Sequence, residues 1–321
     1  MPIVQSKYQP PFLFQNGDLA TIYAGVIRKI DGIIQQRERI SLADGDFLDL
    51  DWSFADKKTD KVVILLHGLE GNAQRPYIIG SAKALNTDGY DVCAVNYRGC
   101  SGETNRLFRS YHSGATEDLE AVIDHVVSKQ VYASIILKGF SLGGNLALRY
   151  LGEKGSDLPK ELKAALAVSV PCDLHSSLKE LLKPRNFLYA KRFKKHLIEK
   201  LVLKQKLFPK EITSSDIQNI KNLKDFDDIY TSKAHGFKDA LDYYKKCSCL
   251  PLLENITVPT LLINAQNDSF LGPECYPIIE AEKNTNLFLE IPKFGGHVGF
   301  YAPNNLTYTE KRSAIFLEEV F

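Results

Sequence analysis

Between residues 61 and 170, short and continuously apolar runs take turns with longer runs whose apolar side chains recur every three to four positions. The runs 61–66, 91–95, 133–137 and 164–170 have the length and β-branched content of buried strands. The stretches between them, near 76–86, 116–128 and 144–151, carry helical spacing. Strands that alternate with helices imply a parallel central sheet covered on both faces. Upstream, 32–51 reads as a hairpin turning at Asp44-Gly45, its far arm keeping period-2 alternation only in part at Phe47, Leu48 and Leu50. Antiparallel strands are therefore expected to open the sheet. The alternation stops at Pro171 and resumes near Ile256, with β-rich runs at 258–264 and 286–291. The intervening 174–250 is helix-patterned, which predicts a helical lid inserted after the sixth strand. The expectation is an α/β chain forming a single domain over 1–321, a mostly parallel sheet flanked by helices, with the lid at 174–250 within it.

Composition narrows the class. With 321 residues, 44% of them hydrophobic, the chain can bury one large core. No window approaches the roughly 18 apolar residues of a membrane span. Residues 1–7 have no basic start leading into an apolar stretch, so a soluble, cytoplasmic protein without a transmembrane segment is expected. The six cysteines, at 93, 100, 172, 247, 249 and 275, are scattered and predict free thiols. No Cys or His set has zinc-ligand spacing, and no metal or cofactor is expected.

Charge is uneven. The stretch 174–250 holds seventeen basic residues against nine acidic ones, a net +8, while the whole chain carries only +1. That overall balance predicts no nucleic-acid partner. The basic lid allows weak contact with an anionic membrane surface. The plainer reading is that Lys191, Arg192, Lys194 and Lys195 form the solvated face of an amphipathic helix whose apolar side is Phe193, Leu197 and Leu201.

Candidate chemistry centres on Gly139-Phe140-Ser141-Leu142-Gly143, which follows the strand-like run 133–137 and opens a helix-like run. A serine between two glycines at this spacing fits a sharp strand-to-helix turn that exposes its hydroxyl at the open end of a sheet. Ser141 is the candidate nucleophile. The late strand 258–264 ends in Ala265-Gln266-Asn267-Asp268, and the next ends in Pro292-Lys293-Phe294-Gly295-Gly296-His297. The order serine, acid, base makes Asp268 the candidate acid and His297 the candidate base. Asp173, after the sixth strand, is the alternative acid. Upstream, the strand 61–66 runs into His67-Gly68-Leu69-Glu70-Gly71, so the N–H groups of Leu69 and Leu142 are the candidate oxyanion hole. His67 and His112 read as structural, and His175 and His235 border the lid. Arg98, Arg106 and Arg109 read as a salt-bridged loop, with anion binding as the rival.

Four segments resemble the YheT-like branch of the α/β-hydrolases, which includes bacterial YheT proteins, plant embryogenesis-associated proteins and yeast medium-chain ester synthases/esterases. They are His67-Gly68-Leu69-Glu70-Gly71-Asn72, the long loop from Asn96-Tyr97-Arg98-Gly99-Cys100 to Tyr111-His112-Ser113-Gly114, Gly236-Phe237 followed by Asp242-Tyr243-Tyr244 and 256–268, and Gly295-Gly296-His297-Val298-Gly299-Phe300. Asp268 and His297 fall on the family's acid and histidine positions. One departure is Asn16-Gly17-Asp18-Leu19-Ala20-Thr21, where the family usually carries His and Gln in place of Asp18 and Ala20. The resemblance implies a serine esterase or lipase-like enzyme acting on small-molecule or lipid carboxylic esters. An acyltransferase that passes the acyl group to an alcohol shares the same residues, and a non-catalytic binding protein shares the fold.

Overall fold

Nine strands, β1 (Ile3–Val4), β2 (Gln36–Ser41), β3 (Phe47–Ser53), β4 (Lys61–Leu66), β5 (Asp91–Asn96), β6 (Ser134–Phe140), β7 (Leu162–Val168), β8 (Thr260–Ile263) and β9 (Leu287–Glu290), form one sheet in the computed structural model, which describes residues 2–321. Their spatial order is β1-β9-β8-β7-β6-β4-β5-β3-β2. The pairings are parallel from β1 through β5, and β3 runs antiparallel to both β5 and β2. The expected hairpin is β2–β3, and its turn uses Gly45 at φ 85°, a left-handed conformation open to glycine. Ile3–Val4 is too short to carry a period. Its addition makes the strand before the helical insert the seventh in chain order, where the sequence pattern predicts the sixth.

The continuous apolar runs follow from covering both faces. Along β4, Val62, Ile64 and Leu66 enter one core cluster and Val63 and Leu65 the other. Of the helices α1 (Gly17–Ile22), α2 (Pro76–Thr87), α3 (Thr116–Ser128) and α4 (Leu142–Lys154), α3 and α4 pack on the first face through Val122, Ile123 and Leu146. The second face receives Ile78 and Leu85 of α2 with Phe316 of the C-terminal helix Tyr308–Val320. Alternation fails along β3 because both its faces are buried. Leu48, Leu50 and Trp52 enter the core, while Asp49 and Asp51 are held by forked pairs from Arg39 and Arg37 at 2.7 and 2.9 Å.

The loop from Asn96 to Gly114 is pinned by Arg98, which is buried and reaches Asp118 at 2.7 and 2.6 Å, Asp44 at 2.8 Å and Asp46 at 3.1 Å. Arg106 donates to Gly45 O, and Arg109 pairs with Glu117. Arg98 and Arg109 are thus salt-bridged within the fold, whereas the exposed Arg106 has no carboxylate partner among the described residues and its guanidinium meets only the Gly45 carbonyl. All six cysteines are unpaired and buried.

Between β7 and β8 the chain is helical almost throughout, beginning with α5 (Leu174–Leu181) and α6 (Phe187–Leu207). This insert has its own apolar cluster, in which Leu197 and Leu201 of α6 turn inward, with Phe193 packed beside them. Its two ends are tied together at the body. Leu250 N–H donates to Cys172 O at 3.0 Å, and the buried Asn145 of α4 donates to Cys247 O and accepts from Cys249 N–H, each at 2.9 Å. Among the described residues no helix is long and apolar enough to cross a membrane.

Candidate active site

Ser141 sits between the end of β6 and the start of α4 at φ 53° and ψ −120°, a backbone conformation that costs a non-glycine residue about 1–3 kcal/mol. The two glycines flanking it in the motif make the turn possible. A Cβ on Gly139 would lie 2.3 Å from Gly143 O, and one on Gly143 would lie 2.5 Å from Leu66 O. The bend places the hydroxyl at the carboxyl edge of the sheet, next to the N-terminus of α4, where N–H groups lack helical partners. Gly68 lies alongside: a Cβ there would approach Ser141 Cβ to 3.1 Å.

Asp268 and His297 come together from loops after β8 and β9. His297 Nδ1 bonds Asp268 Oδ2 at 2.8 Å, and the carboxylate is fully enclosed. Asp268 Oδ1 accepts the N–H of Phe270 at 2.9 Å, and the Phe270 ring lies against the imidazole with centroids 4.3 Å apart. Asp173 is used elsewhere: it caps α5 by accepting the Ser176 N–H at 2.7 Å. No hydrogen bond joins Ser141 Oγ to His297 among the described residues, a geometry common where that contact tightens only around a substrate.

The glycine loop after β4 is fixed residue by residue except at one N–H. Gly68 N–H donates to Tyr77 Oη, Glu70 N–H to Tyr111 Oη and Gly71 N–H to Gly68 O. Glu70, at φ 54°, is further held through its carbonyl by Arg75 at 2.7 Å and through its carboxylate by Tyr111 at 2.6 Å and Lys200 of α6 at 3.0 Å. Among the described residues, the N–H groups of Leu69 and Leu142 have no protein acceptor. His67 is wholly buried beneath this loop, with Nδ1 at 2.8 Å from Gly68 O, and burial pushes its pKa down to about 3, which keeps the ring neutral. His112 is likewise buried and accepts the Gly114 N–H at 3.1 Å.

Three residues that sequence reasoning missed hold the His297 loop. Thr21 Oγ1 accepts the His297 N–H at 2.8 Å, Ser169 Oγ accepts the Val298 N–H at 2.9 Å, and Asn267 Oδ1 accepts the Gly296 N–H at 2.9 Å. Thr21 belongs to the segment that departs from the family pattern, and that departure is absorbed locally. Ala20 is fully buried, and a Cβ on Gly299 would meet it at 2.8 Å, while Asp18 accepts a bond from Tyr189 of α6 at 3.1 Å.

Two cavities meet at Ser141 and His297. The larger, about 160 Å³, is walled by Leu178, Leu181, Phe193, Leu197 and Leu201 of the insert. The second, about 130 Å³, runs toward α1 and is lined by Ile22, Val26, Arg75, Tyr189, Arg192 and His196. An apolar chamber beside a free hydroxyl, two unpaired N–H groups and a carboxylate-paired imidazole can hold an acyl chain while its carbonyl lies within reach of all three.

Comparison with known proteins agrees with the fold. A profile of the alpha/beta hydrolase fold family matches residues 61–302. The chain is similar to "Putative esterase YheT" of Escherichia coli, 33% identical over 299 residues that cover 92% of this chain and 87% of that protein. It is also similar to Phospholipase ABHD3 of Homo sapiens, 32% identical over 321 residues covering 97% of this chain and 78% of that one. Among solved structures, the Pyrococcus furiosus esterase Pf2001 superposes with a TM-score of 0.59 at 19% identity, over 91% of this chain and 96% of the other, a likeness of fold.

Proposed function

The chain belongs to the α/β-hydrolase family, on its YheT-like branch, and on that premise we propose that it is a serine hydrolase that cleaves carboxylic esters through an acyl-enzyme on Ser141. A serine hydroxyl is a weak nucleophile at neutral pH, so His297 accepts its proton as Oγ attacks the ester carbonyl. Asp268 holds the ring in the tautomer that leaves Nε2 free to do so and stabilises the imidazolium that forms. The oxygen that becomes negative is received by the N–H groups of Leu69 and Leu142, a contribution of about 3–4 kcal/mol per donor in comparable sites. His297 then returns the proton to the departing alcohol, and water resolves the acyl-enzyme by the same steps in reverse.

The observation that carries this reading is that His297, bonded to the enclosed Asp268 at 2.8 Å, lines the same cavity as a strained Ser141. The apolar walls contributed by 174–250 support a lid role for that segment and a short- to medium-chain acyl group as its cargo. Relatives named as an esterase and as a phospholipase support the ester class. The test is a series of p-nitrophenyl esters of rising acyl length set beside a phospholipid, with products analysed with and without added ethanol. Rates are expected to rise with chain length and then fall as the chain outgrows the cavity, releasing free acid. Formation of an ethyl ester in place of the acid would identify an acyltransferase, and no turnover of any ester would leave a binding protein.

Thr21 offers a further check, because its hydroxyl alone accepts the His297 backbone N–H. Thr21→Val leaves that buried N–H unpaired, at a cost of about 1–3 kcal/mol borne by the loop that carries the ring. The expected result is about a tenfold fall in kcat for a soluble ester with KM little changed, and recovery in Thr21→Ser. Equal kcat in all three proteins would show that the loop keeps its position without Thr21.

A further inference from the structure

Exposed apolar side chains are not spread evenly over this molecule. Of the twenty-one large hydrophobic residues exposed among the described residues, eight fall within 12–27 and 187–188, eighteen positions in all. One group lies on α1 and the helical turn after it, where Leu19, Ile22 and Val26 face outward, preceded by Phe12 at 89% exposure and Leu13. The other is the first turn of α6, where Phe187 and Leu188 stand out, the latter 76% exposed. The two groups are neighbours. Tyr189 Oη donates to Asp18 at 3.1 Å, and Ile22 and Val26 line the second cavity opposite Tyr189 and Arg192. Through Ile22 and Val26 the apolar rim therefore borders a cavity that leads to Ser141 and His297.

The rim is built on fixed backbone. Asn16 Oδ1 caps α1 at Leu19 N–H, Asn267 Nδ2 donates to Gln15 O at 3.0 Å, and Phe14 stacks on Tyr301 with centroids 3.7 Å apart. Its α6 edge is basic, while the rim's own exposed carboxylate, Asp18, receives the Tyr189 hydroxyl. Lys191 lies 5.8 Å over the Phe187 ring, and Lys191 and Arg192 are exposed with no carboxylate partner among the described residues. The other two basic residues of the turn are occupied, since Lys194 donates to Lys221 O at 2.9 Å and Lys195 faces Glu199 at 3.8 Å. An apolar surface on fixed backbone, with Lys191 and Arg192 free along its α6 edge, matches a bilayer in which acyl chains receive the side chains and anionic head groups receive the charge.

We infer that this rim docks the protein on an anionic phospholipid bilayer, with the second cavity opening toward the lipid. Docking does not depend on the catalytic assignment. It deepens that assignment by supplying a route for a lipid ester to Ser141, and binding and turnover are read separately in its test. The full chain is sedimented with vesicles of phosphatidylcholine alone or mixed with phosphatidylglycerol. Binding is expected to the mixed vesicles. It should weaken at least about tenfold in Phe187→Gln/Leu188→Gln, and likewise in Phe12→Gln/Leu13→Gln should the first pair disturb α6. In Lys191→Gln it should weaken about fivefold on the anionic vesicles only, an effect that raised salt reproduces. The Phe187/Leu188 variant should hydrolyse a small soluble ester like the parent. Absence of binding by the parent, or binding unaffected by both apolar variants, overturns the inference. So does a parent dimer that the apolar variants dissociate without any vesicle binding, which would make the rim a contact between two copies.

Discussion

Replacement of Ser141 by Ala is expected to lower kcat for a soluble ester by about 10⁴-fold or more, the scale on which a nucleophile that works as a unit with its base is lost. The fold should tolerate the change. Among the described residues Ser141 Oγ makes no hydrogen bond that stabilises the turn, and Ala keeps the Cβ that strains it, so the thermal unfolding midpoint should hardly move. Ser141→Gly would be equally inactive yet more stable, because glycine adopts φ 53° without cost. Turnover retained in either variant would remove Ser141 from the reaction.

The second large effect concerns the acid. Asp268→Asn keeps the shape of the carboxylate but presents an amide to His297 Nδ1, favouring the tautomer whose Nε2 carries the proton and cannot act as a base. The expected fall in kcat is about 10⁴-fold. Asp173→Asn should leave kcat nearly unchanged, because Asn serves almost as well as Asp at the helix N-cap that residue 173 provides. Steady-state kinetics on the two variants side by side decides the matter. The reverse ranking would assign the acid to Asp173.

What could be read from the sequence was whatever repeats with the period of one element or carries a local turn signature. The strands β4 to β7, the helix Thr116–Ser128 and the turn at Ser141 all belong to that class. Chain order added one more: with both placed after late strands, Asp268 and His297 were expected to meet, and they do. Contacts between segments far apart in the chain leave no such trace. Thr21 meets His297 across 276 positions, and Lys200 meets Glu70 across 130, with side chains that would serve equally well as surface residues. The two-residue strand Ile3–Val4 is stabilised by the edge of β9, and no pattern within it announces the pairing. Arg98, Arg106 and Arg109 were legible as a cluster, but only the fold shows what each meets: Asp44, Asp46 and Asp118 for Arg98, Glu117 for Arg109 and the Gly45 carbonyl for Arg106. The second cavity and the rim around it arise from the meeting of α1 with α6, and neither helix alone implies them.

Whether Ser141 carries the acyl group is tested by active-site labelling. The protein is treated with a fluorophosphonate, digested, and the modified peptide identified by mass spectrometry while residual esterase activity is followed. The predicted result is a single adduct on Ser141, with activity lost in proportion to labelling, and no adduct in Ser141→Ala. Labelling at another residue, or full labelling of Ser141 with esterase activity intact, would contradict it.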